Sequence, residues 1–142
     1  TFEGSTGNFS GNISGLTESI TTQTSSSQVL IILNTNFSTN DGQRTTFRIL
    51  RGSTVLSVGD ASSNVVRGVF PSLCNRSNDS QSIACSMMIL DAPGSAATHT
   101  YHVQGNAESS AGTVHINRTR GNNTSDTYHA GISSITLMEL GG

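Results

Sequence analysis

The residues of this chain that could carry out chemistry are four histidines, two cysteines and many serines. The histidines are His99, His102, His115 and His129. His99 and His102 fall in one predicted strand, and because side chains alternate across a strand, they lie on opposite faces. The two cannot bind one metal ion from that strand. We therefore expect surface or interface histidines, with a zinc site assembled across several strands as the alternative.

The serines do not indicate a hydrolase. A serine nucleophile is commonly held in a Gly-x-Ser-x-Gly turn, and the chain contains no such sequence. Lysine is absent, and all seven positive charges are arginine, which excludes a phosphate-binding P-loop lysine and a Schiff base. We expect that the chain is not an enzyme and that it uses no cofactor.

Oxygen-rich sequences offer two further candidate sites. Asn122, Asn123 and Asp126 could give oxygens to calcium, but they lack the spacing of a calcium loop, so we interpret them as a polar turn and predict no metal site. The chain also contains eight Asn-x-Ser/Thr sequons, which could carry glycans in a secreted eukaryotic protein. We interpret them as a consequence of a composition rich in Asn, Ser and Thr. They begin at Asn8, Asn12, Asn36, Asn75, Asn78, Asn117, Asn122 and Asn123.

Cys74 and Cys85 are the two cysteines, and their spacing fits neither a zinc knuckle nor a thioredoxin-type pair. A disulfide between them is reasonable if two antiparallel segments face each other. Such a bridge would contribute about 2–3 kcal/mol. We predict that the two thiols bridge in an oxidising setting, and two free thiols are the alternative.

Charge and hydropathy exclude some partners. The net charge of −2 gives no reason to expect nucleic acid or an anionic membrane. The longest apolar run, from Val29 to Leu33, is much shorter than the roughly 20 residues that a membrane-spanning helix needs, so we expect no membrane insertion. A chain of 142 residues is long enough for one domain with its own core.

The pattern of apolar residues predicts strands. Val29 to Leu33 is a continuous apolar run, which indicates a strand buried on both faces. Thr45 to Arg51 alternates, with Phe47 and Ile49 on one face. A tight turn at Gly52 and Ser53 then leads into Thr54 to Val58, which together predict a hairpin.

Further strands are predicted between polar turns, and no segment has convincing helical periodicity. We predict a loop from Thr21 to Ser27. The strands cover Asn64 to Phe70, Ile83 to Leu90, Thr98 to Gly105, Thr113 to Thr119 and Ser133 to Leu140, with a weaker one from Leu16 to Ile20. Many short strands joined by polar turns are typical of a sandwich or barrel. We expect an extended N-terminal arm, or a connection to an upstream part, over residues 1–14 and a β-sandwich domain over residues 15–142.

Several strings, taken in order, resemble the C-terminal jelly-roll domain of tail-fibre and virion structural proteins of marine cyanophages and other environmental phages. The resemblance covers about Gly15 to Leu140. The strings are Leu50-Arg51-Gly52-Ser53-Thr54, Gly59-Asp60-Ala61-Ser62, Leu90-Asp91-Ala92-Pro93-Gly94, Thr100-Tyr101-His102-Val103-Gln104, Ile116-Asn117-Arg118-Thr119 and Ser133-Ser134-Ile135-Thr136-Leu137-Met138-Glu139-Leu140. The chain departs from the usual pattern between Cys74 and Cys85, and no particle-attachment region is evident.

The resemblance implies an all-β fold, an antiparallel β-sandwich of the jelly-roll, tumour-necrosis-factor-like kind, on the extracellular surface of a virion. It also implies a homotrimer that contacts other virion proteins, and no catalytic or metal residues. The run from Val29 to Leu33 favours the trimer independently, because the chain has few large apolar residues with which to cover its second face. The alternative is a central strand that both sheets, or a loop of the same chain, cover.

Three functions follow as hypotheses. The first is a fibre-type appendage domain that contacts a host-surface molecule, with a glycan as one candidate and the ligand-binding residues unknown. The second is a capsid-decorating or fibre-capping module without a ligand. The third is a secreted carbohydrate-binding module. The absence of tryptophan weakens the lectin-like hypotheses, because sugars usually stack on exposed aromatic rings.

Overall fold

A computed structural model describes residues 2–3, 9–39, 44–56, 58–60, 66–74, 81–107, 112–119 and 130–141. These residues form β-strands and irregular connections, and none of them is helical, so no described helix could cross a membrane. The strands are β1 (Phe2–Glu3), β2 (Asn12–Thr21), β3 (Gln28–Thr39), β4 (Arg44–Arg51), β5 (Thr54–Leu56), β6 (Phe70–Cys74), β7 (Ile83–Asp91), β8 (Thr98–Ala107), β9 (Thr113–Ile116) and β10 (Ser134–Leu140).

The strands form two antiparallel sheets that pack against each other, as the sequence predicts for a β-sandwich. In the first sheet β3 is central, with β7 along one edge and β10 followed by β9 along the other; β1 pairs with β9. In the second sheet β8 lies between β2 and β4, while β5 and β6 share the far edge of β4. The predicted fold class, an all-β antiparallel sandwich, is confirmed.

The core lies between the inner faces of the sheets. Period-two alternation of β3 turns Val29, Ile31 and Leu33 inward, and each is 0% exposed. From β4, Phe47 is equally buried, and its ring meets that of Phe37 edge to face, with centroids 5.2 Å apart. Edge-to-face contact is a favoured geometry for aromatic pairs, so these two rings bind the sheets together at the centre of the core.

The outer face of β3 departs from the prediction that its apolar run is buried on both sides. Leu30 and Ile32 point away from the second sheet and are only half-buried. The second sheet packs against only one face of the first, and none of the described strands covers the other face. The prediction of burial on both faces is therefore wrong within one chain.

The strand predicted from Asn64 to Phe70 is also wrong in its position over the described residues, which do not include 64 and 65. Residues 66–69 are irregular, and the strand that pairs with β4 runs from Phe70 to Cys74. The reason is a close approach at Gly68, where an added Cβ would overlap the backbone carbonyl of Phe47. The Val69 N–H donates to that same carbonyl at 2.8 Å, so the chain crosses tightly over β4 before it begins to pair.

The predicted hairpin is confirmed, because Arg51 pairs with Thr54 across a turn in which Gly52 has a φ of 55°. Three other strands have boundaries that differ from the predicted ones for local reasons. β9 ends at Ile116 rather than Thr119, and the next residue, Asn117, has a φ of 64°, which breaks the extended backbone. β2 and β3 are both longer than predicted, since their polar halves show no apolar alternation.

Candidate functional site

The first notable cluster joins the two sheets and is called here the sheet clasp: Arg51, Asp91 and Tyr101. Asp91 ends β7 in the first sheet, whereas Arg51 and Tyr101 lie on β4 and β8 of the second. The Tyr101 hydroxyl donates to Asp91 Oδ2 at 2.8 Å, and Arg51 Nη1 lies 2.8 Å from the same oxygen. One carboxylate therefore holds two groups from the opposite sheet.

Burial makes the sheet clasp effective. Tyr101 is 0% exposed and Asp91 9% exposed, so neither hydroxyl nor carboxylate has free access to water. Burial, and then the neighbouring Asp91 carboxylate, raises the pKa of the Tyr101 hydroxyl well above its usual range, which keeps that hydroxyl protonated as a donor. The sheet clasp is a structural cross-link, and its chemistry is that of a charge-assisted hydrogen bond.

A second feature is a set of exposed hydroxyl groups on the outer face of β2 and β8, called here the hydroxyl array. Cross-strand pairing places Ser19 beside Thr100 and Thr21 beside Thr98, with both pairs of hydroxyl oxygens 2.8 Å apart. All its members are exposed. The hydroxyl array consists of Thr17, Ser19, Thr21, Thr98 and Thr100.

Next to the hydroxyl array, the second sheet carries a polar cluster around Arg48. Both Arg48 Nε and Nη2 donate to Gln104 Oε1, at 2.9 and 2.6 Å, and Gln104 Nε2 donates to Asn12 Oδ1 at 3.1 Å. The Arg48 guanidinium also lies 3.9 Å from the centroid of the Phe9 ring, a cation–π contact. Burial, and then the Arg48 charge, lowers the pKa of His102, so this face favours a neutral imidazole.

A third feature is the outer face of the first sheet, where six apolar side chains from three adjacent strands meet. Cross-strand pairing places Leu30 between Leu90 and Met138, and places Ile32 beside Met88. Met88 is 69% exposed, Leu90 50% and Met138 49%. This surface is called here the apolar face, and it consists of Leu30, Ile32, Met88, Leu90, Met138 and Leu140.

A row of polar groups borders the apolar face. The Ser86 hydroxyl donates to Asn34 Oδ1 at 2.6 Å, and Asn34 Nδ2 donates to the Ser134 hydroxyl at 3.3 Å, so the row spans β7, β3 and β10. The remaining outward positions of these strands are Gln, Asn, Ala or Thr. The strands therefore place no charged side chain on this face.

The described histidines lie apart from one another. His99 Nε2 is 3.1 Å from the carbonyl oxygen of Ser95, and His102 is on the opposite face of β8, as predicted. His115 Nδ1 lies 3.0 Å from Arg118 Nη2. His129 is outside the described residues. Within the described part of the chain, no group of three or more His, Cys, Asp or Glu side chains could hold a metal ion.

The two cysteines belong to different sheets. β6, which ends at Cys74, pairs with β4 in the second sheet, whereas Cys85 pairs with Thr35 in the first. Cys85 is a free, half-buried thiol whose pKa is raised by burial, and the side chain of Cys74 lies outside the described residues. The disulfide stays a prediction, and if it forms it would link the two sheets.

The remaining candidate residues differ in accessibility. Asn12 and Asn117 are exposed, whereas Asn36 packs against Gly131 and has a buried Oδ1 for which the described residues offer no hydrogen-bond partner. The Asn36 side chain is therefore less accessible than those of Asn12 and Asn117. The other sequons and the predicted calcium turn at Asn122, Asn123 and Asp126 lie outside the described residues.

A cleft of about 350 Å³ opens between the start of β2 and the end of β9. Ser10, Asn12, Ile13 and Asn117 are among its lining residues. Among the described lining residues there is no charged or aromatic side chain, so none of them provides a ring on which a sugar could stack.

No protein-family model matches the chain, and no curated protein matches its sequence. The candidate surfaces therefore depend on the geometry alone.

Sequence reasoning missed the hydroxyl array and the sheet clasp for one reason. The alternation of Thr17, Ser19 and Thr21 is visible in the sequence, and so is that of Thr98 and Thr100, but their junction requires the pairing of β2 with β8. The three residues of the sheet clasp lie in strings that the resemblance uses, yet nothing in the strings indicates that they touch.

Proposed function

We propose that this chain is a structural domain of a fibre-type phage virion appendage, which assembles as a homotrimer on the virion surface and contacts a host-surface molecule. In this role the domain performs no chemistry on a substrate. Its residues serve to hold a rigid scaffold and to present surfaces from it.

The observation that carries the proposal is the sheet clasp. Arg51, Asp91 and Tyr101 come from three separate strings of the phage-domain resemblance, and they meet in one buried cluster. Strings that resemble a family because of a catalytic site would be expected to gather reactive groups in an open cleft. Here the three strings supply residues that cross-link the two sheets. This supports the interpretation that the resemblance reflects a shared structural scaffold rather than a shared catalytic site.

The path of the chain supports a jelly-roll arrangement. After β2 in the second sheet, the chain crosses to β3 in the first, returns to β4, and crosses again at β7, β8 and β9. Repeated crossing between sheets is typical of jelly rolls, in which two Greek keys wrap around one core.

The hydroxyl array supports contact with a neutral glycan. Along each strand its hydroxyls repeat at about 6.8 Å, and the paired strands lie about 4.8 Å apart, so the groups form a regular lattice of donors and acceptors. A saccharide without charge could hydrogen-bond to such a surface without aromatic stacking. In a trimer, three copies of a weak contact would gain by avidity.

Two experiments test this proposal at different levels. Antibody against the chain, imaged by electron microscopy on intact particles, should label an appendage; labelling of the capsid shell would instead favour the decorating module. Absence of the chain from particles would favour the secreted module.

Binding of the purified chain to host cells tests the hydroxyl array. A variant with Thr17→Val, Thr21→Val and Thr100→Val keeps the side-chain shapes but removes three exposed hydroxyls, and we expect at least tenfold weaker binding. Thr54→Val, at an exposed position on β5, is the matched control and should bind normally. Equal binding by both variants would contradict the array as the contact surface. A wild-type chain that binds no host cell or glycan would favour the ligand-free module.

A further inference from the structure

We infer that copies of this chain associate through the apolar face, so that the outer surface of β3, β7 and β10 is the subunit interface of the homotrimer. This inference rests on the assembly proposed above and assigns it to one surface.

The size of the apolar face is the first argument. Its four most exposed side chains present on the order of 400 Å² of apolar surface, within the range at which contiguous patches on soluble proteins mark interaction sites. A stable interface of standard size buries about 800 Å² on each partner, so an apolar centre of this size together with its polar border would fill one.

The shape and polarity of the surface form the second argument. The apolar side chains lie together on three hydrogen-bonded strands, and the row through Ser86, Asn34 and Ser134 borders them. An apolar centre with a polar rim is the usual anatomy of a protein interface. The partner must therefore be largely apolar as well.

The absence of charged side chains from the outward positions of these strands indicates the partner. A nucleic acid or an anionic lipid surface would be attracted by arginine, and β3, β7 and β10 turn none outward. A second copy of the same surface meets every requirement, because it offers an equal apolar area and an uncharged polar rim. In a trimer the apolar faces of all three copies meet along the threefold axis, where each face contacts those of both neighbours, and this closed symmetry ends assembly at three copies.

The arrangement also accounts for the sequence of β3. Val29, Ile31 and Leu33 fill the core of one chain, while Leu30 and Ile32 on the opposite face remain half-buried. An apolar side chain on a solvent-facing strand position adds nothing to the core of its own chain. Burial against neighbouring copies gives these two residues a role.

Sedimentation equilibrium on the full chain tests the inference. At micromolar concentration the wild type should sediment at three times the chain mass of 14.8 kDa. Met88→Arg and Leu90→Arg should each weaken association at least tenfold, because a trimer would bury the new charges. In the monomer both side chains are half exposed or more, so the variants should keep the β-type circular dichroism spectrum.

Controls separate this inference from the proposed function. Val55→Arg, at a 37% exposed apolar position on β5 of the other sheet, should leave the trimer intact. Met88→Gln is a milder variant for use if an arginine impairs folding, and it should also weaken association.

Several results would overturn the inference. Trimers that persist in both arginine variants would show that another surface joins the copies, while the appendage function would stand. A monomeric wild type would refute both the trimer and this interface, and particle labelling would still report on the appendage. A monomer that binds vesicles of neutral phosphatidylcholine would identify a lipid surface as the occupant instead.

Discussion

The sheet clasp predicts a graded loss of stability when its members are changed one at a time. Tyr101→Phe removes one hydroxyl and leaves Asp91 paired with Arg51. Asp91→Asn keeps the shape of the side chain and removes its charge. Asp91→Ala removes the acceptor for both partners, so the buried Tyr101 hydroxyl loses the carboxylate to which it donates.

The expected losses in the free energy of unfolding follow from how deeply each group of the sheet clasp is buried. A hydrogen bond to a charged group contributes about 1.5–3 kcal/mol, so Tyr101→Phe should lower the free energy of unfolding by about 2 kcal/mol. Arg51 is 23% exposed and can regain water, so Asp91→Asn should cost about 1–2 kcal/mol, below the value for a fully buried pair. Asp91→Ala should cost about 3 kcal/mol, since it also leaves the tyrosine unpaired.

Urea denaturation followed by circular dichroism measures these losses at one fixed protein concentration, since association would otherwise add to the apparent stability. The double variant Asp91→Ala with Tyr101→Phe should cost less than the two single losses together, by about 1 kcal/mol, because both changes remove the same bond. The reasoning would be refuted if Tyr101→Phe and Asp91→Asn each unfolded within about 0.5 kcal/mol of the wild type, as expected for a surface pair.

Three further predictions concern the backbone, pH and the cysteines. Gly68→Ala should lower the free energy of unfolding by about 2–3 kcal/mol in the same assay, because its Cβ would overlap the backbone of β4. Because the pKa of His102 is lowered in the folded state, the unfolded chain binds that proton more readily, and stability should fall as the pH drops below 6.5; His102→Gln should flatten this dependence. Cys74 and Cys85 should form a disulfide under oxidising conditions, so the intact mass should rise by two hydrogens on reduction.

Each of these predictions has its own control. Gly59→Ala, where an added Cβ meets nothing within 4 Å, should change the stability little. An unchanged pH profile in His102→Gln would show that His102 does not contribute to acid sensitivity. Alkylation of two thiols without reductant, after exposure to oxidant, would rule out the bridge between Cys74 and Cys85.

Local sequence determined most of the segments that became strands, although not β6, and which residues of β4 entered the core. Period-two alternation places Phe47 and Ile49 on one face of β4, and both are buried. The apolar run from Val29 to Leu33 and the turn at Gly52 likewise needed no tertiary information, because side-chain alternation and glycine's freedom at positive φ operate within a few residues. These features were sufficient to predict an antiparallel sandwich.

Only the tertiary structure decided the strand boundaries that depend on contact with a residue distant in the sequence. The segment before β6 is irregular because Gly68 crosses the backbone of Phe47, which lies about twenty residues earlier in the chain. No local pattern at Gly68 contains that contact.

The candidate surfaces also arose only from tertiary pairing. The apolar face required β7 and β10 to pair with opposite edges of β3, which brings together Met88 and Met138 from distant parts of the chain. The sheet clasp required the two sheets to meet at Asp91. Sequence determines which side of its own strand each residue occupies, but only the pairing of strands and sheets decides which side chains become neighbours.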